Sequence, residues 1–388
     1  KKSFKGIGAR YNNLGTYCLQ GSFVGSGKKN TIIKYDMDIS DSQYASLFTI
    51  FYANNTKVQR TYTYGKLTLI CNVSNNKTNG ERAAAGFVSY VYGTNVHKFE
   101  NLLVSGDDNG NKATITSNAT NDGSAKAADY RMAAGILVSP EKRSSSEAYK
   151  TITITNCELD NVKISATDDC GGFIAIDETN TNTITFTSCK VINSSVEGYS
   201  TAVGGFIGTT IAPIIVTGTQ DDRSSVLSST ITTTYGSAGG MIGRVSKREG
   251  GTVGKVSAQV KFDYCTVGKA DGSTKSTRLS SLYSGTINYV ENGYHTGGFV
   301  GNANVIVNGS SWYDIPFNNC NIDGLEINVN SGNSFAGGFI GRCNHGMYIN
   351  LSKESGNAPE FADESEKKTV INDLIINKKN PSYKEDAV

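Results

Sequence analysis

The sequence predicts an all-β protein, a single-stranded right-handed parallel β-helix (solenoid) of about eight coils with inserted loops. Three observations carry that prediction. A small-residue/glycine step running into a short apolar strand recurs seven times, a cysteine returns at one slot of several repeats, and apolar residues alternate with a period of two while no helical rhythm holds over three turns.

The glycine steps are Ala85-Gly86-Phe87-Val88, Ala134-Gly135-Ile136-Leu137, Gly171-Gly172-Phe173-Ile174, Gly204-Gly205-Phe206-Ile207, Gly239-Gly240-Met241-Ile242, Gly297-Gly298-Phe299-Val300 and Gly337-Gly338-Phe339-Ile340, with Ser46-Leu47-Phe48 as an eroded copy in front. Their spacing is 37, 33 and 35 residues through the middle (135 to 172 to 205 to 240) and widens to 58 between Gly240 and Gly298. Each pair reads as a bend whose backbone takes a positive φ or lies close against the neighbouring coil, both cheap for glycine alone. Beyond the bend, strand alternation sends Phe173 and Ile174 to opposite faces, and likewise Phe206/Ile207, Met241/Ile242, Phe299/Val300 and Phe339/Ile340. One column then fills the core and the other makes an outer apolar stripe, covered by the chain's own insertions or by a partner.

Within a coil, residues 183–208 serve as the pattern. A strand Thr183-Ile184-Thr185-Phe186-Thr187 reaches Cys189, a second follows at 191–194, and a turn at Gly198-Tyr199-Ser200 leads to the next glycine step. This reads as three short strands and three bends. Cys157, Cys189 and Cys320 share one context (Asn-Cys-Glu-Leu, Ser-Cys-Lys-Val, Asn-Cys-Asn-Ile) and Cys265 fits it, so these four predict a ladder of buried thiols. None of the eight cysteines has the close pair spacing of a zinc site. An antiparallel sandwich is disfavoured, because the hairpin dipeptides Asn109-Gly110, Asp122-Gly123, Asp271-Gly272 and Asn292-Gly293 fall in variable stretches.

Three regions follow. Residues 1–45 read as an N-terminal cap with first strands, 46–350 as the repeats, and 351–388 as a C-terminal strand (Val370 to Ile376) and a tail or linker leading to another domain. Polar insertions are expected at 105–131, 140–149, 218–229 and 246–295. No apolar run approaches the ~20 residues of a membrane span. With 37 Lys+Arg against 35 Asp+Glu there is no electrostatic footprint for nucleic acid.

The pattern Gly-Gly-[Phe/Met]-[Ile/Val]-Gly, followed by strands leading to Asn/Ser-Cys-x-[Leu/Val/Ile], resembles the Glug-motif repeats of large bacterial surface proteins, over residues 20 to 342. The opening Gly21-Ser22-Phe23-Val24-Gly25 before Lys29-Asn30-Thr31 resembles their lead-in. Departures are Ala85 and Ala134 for the first glycine, and Ala175 and Asn302 around the closing one. Such repeats occur in adhesin-like proteins and beside the peptidase domains of secreted immunoglobulin-A proteases. The resemblance implies an extracellular or cell-surface location and a larger multidomain protein, and it names no ligand.

No catalytic set is expected. Asp168-Asp169-Cys170 faintly resembles the acid pair of polygalacturonases, but the His-Gly element at His345 lies some 175 residues on, several coils away. Asp107-Asp108 and Asp221-Asp222 read as solvated Asx turns, with calcium the one cofactor left open. The histidines, 97, 295 and 345, share no metal spacing and read as isolated surface or turn residues. Among twenty tyrosines, Trp312-Tyr313 is the best local candidate for stacking a sugar ring. The expected function is therefore a non-enzymatic surface or secreted module, a rigid stalk presenting loops to a host protein or glycan. The alternative is a carbohydrate-active enzyme or carbohydrate-binding module on the same scaffold.

Overall fold

The computed structural model describes residues 7, 23–24, 31–53, 60–61, 63–77, 82–93, 96–117, 131–140, 150–177, 181, 183–199, 201–245, 260–282, 294–303, 315–330, 334–343 and 371–378. They form a parallel β-helix. One rung is Thr151–Thr155, Glu158–Asp160, Val162–Ala166, Cys170–Gly171 and Ile174–Asp177. The next is Thr183–Thr187, Lys190–Ile192, Ser195–Gly198, Val203–Gly204 and Ile207–Thr210. A rung thus holds five short strands, which we call columns one to five, and not the three expected from sequence. Strands of two to five residues separated by bends of one to four residues leave too little alternation to be distinguished in the sequence.

Successive rungs pair in parallel and in register. Column one is a seven-stranded sheet, and columns four and five have eight strands each. Columns two and three merge into one fourteen-stranded sheet, because Leu67–Asn75 and Asn321–Val329 run through both. Stacking is already present inside the stretch read as a cap, where Ile7 bridges Phe48, Phe23–Val24 pairs with Thr63–Tyr64 and Thr31–Ile39 pairs with Leu67–Asn75. It ends with Ile371–Lys378 on Asn321–Val329, at the place expected for the last strand. The eroded copy is a true rung, since Phe48 is the register partner of Val88.

Several expected insertions contain rung strands. Ala113–Ser117 is a column-three strand, Ser224–Leu227 a column-two strand, and Val260–Asp263, Cys265–Gly268 and Thr277–Ser281 supply columns one to three of the rung between Gly240 and Gly298.

Bends fix the columns. Between columns one and two the backbone enters the left-handed region at Asn101, Asn156, Ser188, Tyr264 and Asn319, with φ between 50° and 56°. Between columns two and three it does so at Asn161, Asn193, Ser228, Gly324 and Asp373. This conformation costs an ordinary L-residue about 1–2 kcal/mol, and Asn, Asp and Gly least, which accounts for the asparagine-rich joints.

The thiol ladder sits one residue past the first bend. Cys157 and Cys189 occupy successive rungs, the Lys190 N–H donating to the Cys157 carbonyl at 3.0 Å. Cys265 and Cys320 do the same further along, adjacent to the paired residues Thr266 and Asn321. Each thiol turns back to the carbonyl two residues earlier: Cys157 to Thr155 at 3.4 Å, Cys189 to Thr187 at 3.4 Å, Cys265 to Asp263 at 3.4 Å and Cys320 to Asn318 at 3.2 Å. Ser224 fills this slot in the intervening rung and its hydroxyl donates to the Thr217 carbonyl at 2.6 Å. The second bend repeats the device with hydroxyls, Ser194 to Ile192 at 2.7 Å and Ser229 to Leu227 at 2.8 Å. Cys71 lies in that second ladder, beside Tyr35, while Cys170 faces the core from column four between Ala133 and Val203. Cys71, Cys157, Cys170, Cys189, Cys265 and Cys320 are all free and buried.

At the glycine step the opposite-face expectation fails. Phe173 and Ile174, Phe206 and Ile207, Met241 and Ile242, Phe299 and Val300, and Phe339 and Ile340 all belong to the same inner core. The chain turns at Gly172-Phe173, between column four and column five, so strand alternation restarts and both residues point inward. Phe173 stands in register on Phe206 with ring centroids 4.9 Å apart, and the Phe173 N–H donates to the Phe206 carbonyl at 2.9 Å.

Close approach explains the second glycine, and positive φ does not, because none of these steps enters the left-handed region. A Cβ at Gly172 would lie 1.8 Å from the carbonyl oxygen of Gly205, and one at Gly205, Gly240 or Gly298 would lie 2.1, 1.9 or 1.7 Å from that of Gly240, Gly298 or Gly338. The first glycine closes a crease on the outside, where a Cβ at Gly204 would meet the Ile207 carbonyl at 2.1 Å. Where alanine replaces it, at Ala85 and Ala134, the crease holds a second apolar cluster with Tyr44, Tyr90, Met132, Val138 and Ile176, all buried. The expected outer stripe of one Phe or Ile column is therefore overturned, since both columns line the core, and the second cluster is made of other residues that are themselves buried.

Candidate functional site

The carboxylates singled out in the sequence are tied into the wall. The Asp168 carboxylate accepts the Arg131 N–H at 2.8 Å, and that of Asp169 accepts the Thr209 hydroxyl at 2.5 Å. Both side chains are buried, and the neighbouring Cys170 faces the core, so the triplet does not form an acid pair in an open groove. Asp107 caps its own loop, accepting N–H groups from Asn109 at 3.0 Å and Asn111 at 2.8 Å and the Asn111 side-chain amide at 2.9 Å. These bonds, led by that of the Asn111 side chain, hold its carboxyl below the usual range. Asp222 pairs with Lys190 at 2.7 Å. Among the described residues no three His, Cys, Asp or Glu side chains converge as metal ligands would.

Two histidines are not surface residues. His97 points inward from column one, in register with Ile152, and burial, with the nearby Lys150 charge, pushes its pKa down to about 3. His295 is buried on the outer side of column four, its Nδ1 accepting the Phe335 N–H at 3.1 Å. His345 and the pair Trp312-Tyr313 lie outside the described residues.

What the rung geometry does assemble is an aromatic strip at the corner between columns three and four. Tyr199 follows Ser195–Gly198, and its N–H donates to the Thr167 carbonyl at 3.2 Å; the Tyr235 N–H donates to the Tyr199 carbonyl at 2.7 Å. That backbone ladder brings the two rings edge to face, with centroids 4.9 Å apart and planes at 66°. Tyr294, leading into the strand Thr296–Gly297, brings a third ring to 6.3 Å from Tyr235 at 79°. Next in the chain, the His295 ring lies nearly parallel to Phe335, 5.2 Å away. The three tyrosines are half-buried, Phe335 is 48% exposed, and Leu282, which pairs through its N–H with Thr233 on the same corner, is 45% exposed.

Polar groups border the rings. The Asn330 side chain donates to the Leu282 carbonyl at 3.0 Å and Thr234 lies half-buried beside Tyr235, whereas Ser237 and Ser334 on the same corner are buried. On the rungs that carry the tyrosines, the described corner residues (199, 201, 234–237, 282, 294–295, 330 and 334–335) include no Asp, Glu, Lys or Arg, while Asp168 and Arg131 stand at the same corner of the two preceding rungs, both buried. Sequence reading missed the strip because its members are 36 and 59 residues apart and follow different local motifs. The signal available was Tyr199 and Tyr235 each standing four to five residues before a glycine step.

No protein-family model, no curated protein and no solved structure matches the chain.

Proposed function

We propose that this chain is a non-catalytic, adhesin-like module of a bacterial surface or secreted protein, built on Glug-type repeats and held in a larger multidomain chain. The support is mechanical and chemical. One inner core runs through every rung from Met37 to Ile340, which suits a rigid spacer. The carboxylates that resembled a glycosidase pair are engaged by Arg131 and Thr209, which suits a wall element better than general acid–base work. The observation that carries the reading is this continuous stacked core with an uncharged aromatic strip on its outside. Its ligand is a host surface protein or glycan.

The test is a glycan and host-protein binding array run beside a turnover screen on pectic and host polysaccharides, using the isolated chain. Binding without cleavage is expected. Release of shortened oligosaccharides would overturn the proposal in favour of a carbohydrate-active enzyme.

A further inference from the structure

We propose that the Tyr199–Tyr235–Tyr294 strip is the contact site for a neutral glycan chain, an inference that rests on the ligand-binding reading above and gives it an address. The ring faces of tyrosine are electron-rich and apolar and the phenol hydroxyl is a polar tip, here hydrogen-bonded between Tyr199 and Tyr235, so a half-buried tyrosine offers both halves of what a sugar ring needs. Axial C–H groups of a pyranose pack on the ring, and its hydroxyls exchange hydrogen bonds with phenols and neighbouring amides.

Three features of the site fit that chemistry. The rings are spaced by the rung ladder, 4.9 and 6.3 Å between centroids, so the strip is a repeating surface suited to a repeating polymer. Its spacing is held by backbone hydrogen bonds, Tyr235 on Tyr199 at 2.7 Å and Tyr199 on Thr167 at 3.2 Å, so little is lost to ordering when a ligand binds. The described corner of the tyrosine rungs carries a hydroxyl and an amide that reach the surface, from Thr234 and Asn330, and no formal charge. On these rungs a neutral sugar meets no desolvated ion, whereas an acidic polysaccharide finds no exposed cation and has the Asp168 carboxylate on the rung before, and a protein partner finds only Leu282 and Phe335 as strongly exposed apolar anchors among the described residues.

The experiment uses the full chain with hexasaccharides of β-glucan, xylan, mannan and chitin, each followed by saturation-transfer difference NMR and by titration. At least one should bind, with saturation passing from tyrosine ring protons to sugar C–H protons. Tyr199→Ala and Tyr235→Ala should each weaken that association tenfold or more, and Tyr199→Phe should stay within threefold of wild type. Circular dichroism and the melting midpoint check that the variants fold, and ring-to-sugar transfer in the wild-type chain reads the site without any substitution. Undiminished binding in both alanine variants, or transfer that bypasses the tyrosine rings, overturns the strip while leaving a ligand-binding stalk intact. Binding of a host protein with no neutral hexasaccharide bound also overturns it. Cleavage of a hexasaccharide that still depends on Tyr199 and Tyr235 would keep the strip and overturn the non-catalytic reading instead.

Discussion

Replacing Gly205 by alanine places a methyl group 2.1 Å from the Gly240 carbonyl oxygen and 2.8 Å from Val226 Cγ2. Real Cβ contacts do not fall below 3.0 Å, so the two rungs must part by nearly an ångström at this point. The bonds that cross there are the Gly205 N–H to the Gly240 carbonyl at 3.0 Å, the Phe206 N–H to the Met241 carbonyl at 2.8 Å and the Ile207 N–H to the same carbonyl at 3.0 Å. A buried donor or acceptor left unmet costs about 1–3 kcal/mol, so loosening two of these costs about 4 kcal/mol, a large part of a typical stability. Because a solenoid opens locally, the effect is best read rung by rung by native-state hydrogen exchange. Amides of Phe206 and Ile207 should exchange about a thousandfold faster than in the wild type, at 1.4 kcal/mol per tenfold. The control is Gly110→Ala, where the loop is open and the cost is that of its left-handed φ of 84°, about 1 kcal/mol. Protection at Phe206 and Ile207 within tenfold of wild type would refute the close-approach account of the glycine ladder.

Other consequences follow from the walls and bends. Burial raises the thiols of Cys71 and Cys157 to about 12 and pushes Cys170, Cys189 and Cys265 up as well, so with Cys320 they should resist iodoacetamide at pH 8 and react fully in guanidinium, as peptide mass spectrometry would record. His97 is held neutral, its pKa lowered from 6.5 to about 3, so the unfolded chain takes up the proton first and stability falls as pH drops through that interval. Urea titrations at pH 7 and 4.5 should find the wild type losing about 3 kcal/mol more than His97→Leu, at about 1.4 kcal/mol per pH unit, and parallel losses would contradict this. Asn161→Ala forces alanine into φ of 58° and should cost about 1 kcal/mol, while Asn161→Gly should be neutral or better; equal midpoints for the two would remove the argument for the asparagine joints.

Much of the architecture was legible because a solenoid writes each structural slot several times. Cys157 with Cys189, and Phe173 with Phe206, are in register as their shared contexts predicted. The direction of Ile174 was not legible, since one bent residue pair resets a period of two. Rung strands at 113–117, 224–227 and 260–268 were hidden by polar flanks, because an inward ladder needs only every second residue to be apolar. The buried His97 and His295 escaped for a related reason: each occupies a slot that other rungs give to Ile152 or Ser237, and a single letter does not announce which side of the wall it faces. The tyrosine strip needed three rungs laid side by side before it existed at all.

The register of the stack is the claim on which everything else depends, and proximity cross-linking reads it directly. Thr153 and Thr185 are outward-facing register partners on adjacent rungs, and Ile215 is the next partner beyond Thr185. With a short thiol-specific linker, the pair Thr153→Cys/Thr185→Cys should join rapidly, and Thr153→Cys/Ile215→Cys, two rungs apart, should join poorly, with mass spectrometry assigning the linked peptides. Efficient linkage of 153 to 215 with none between 153 and 185 would contradict the parallel stack.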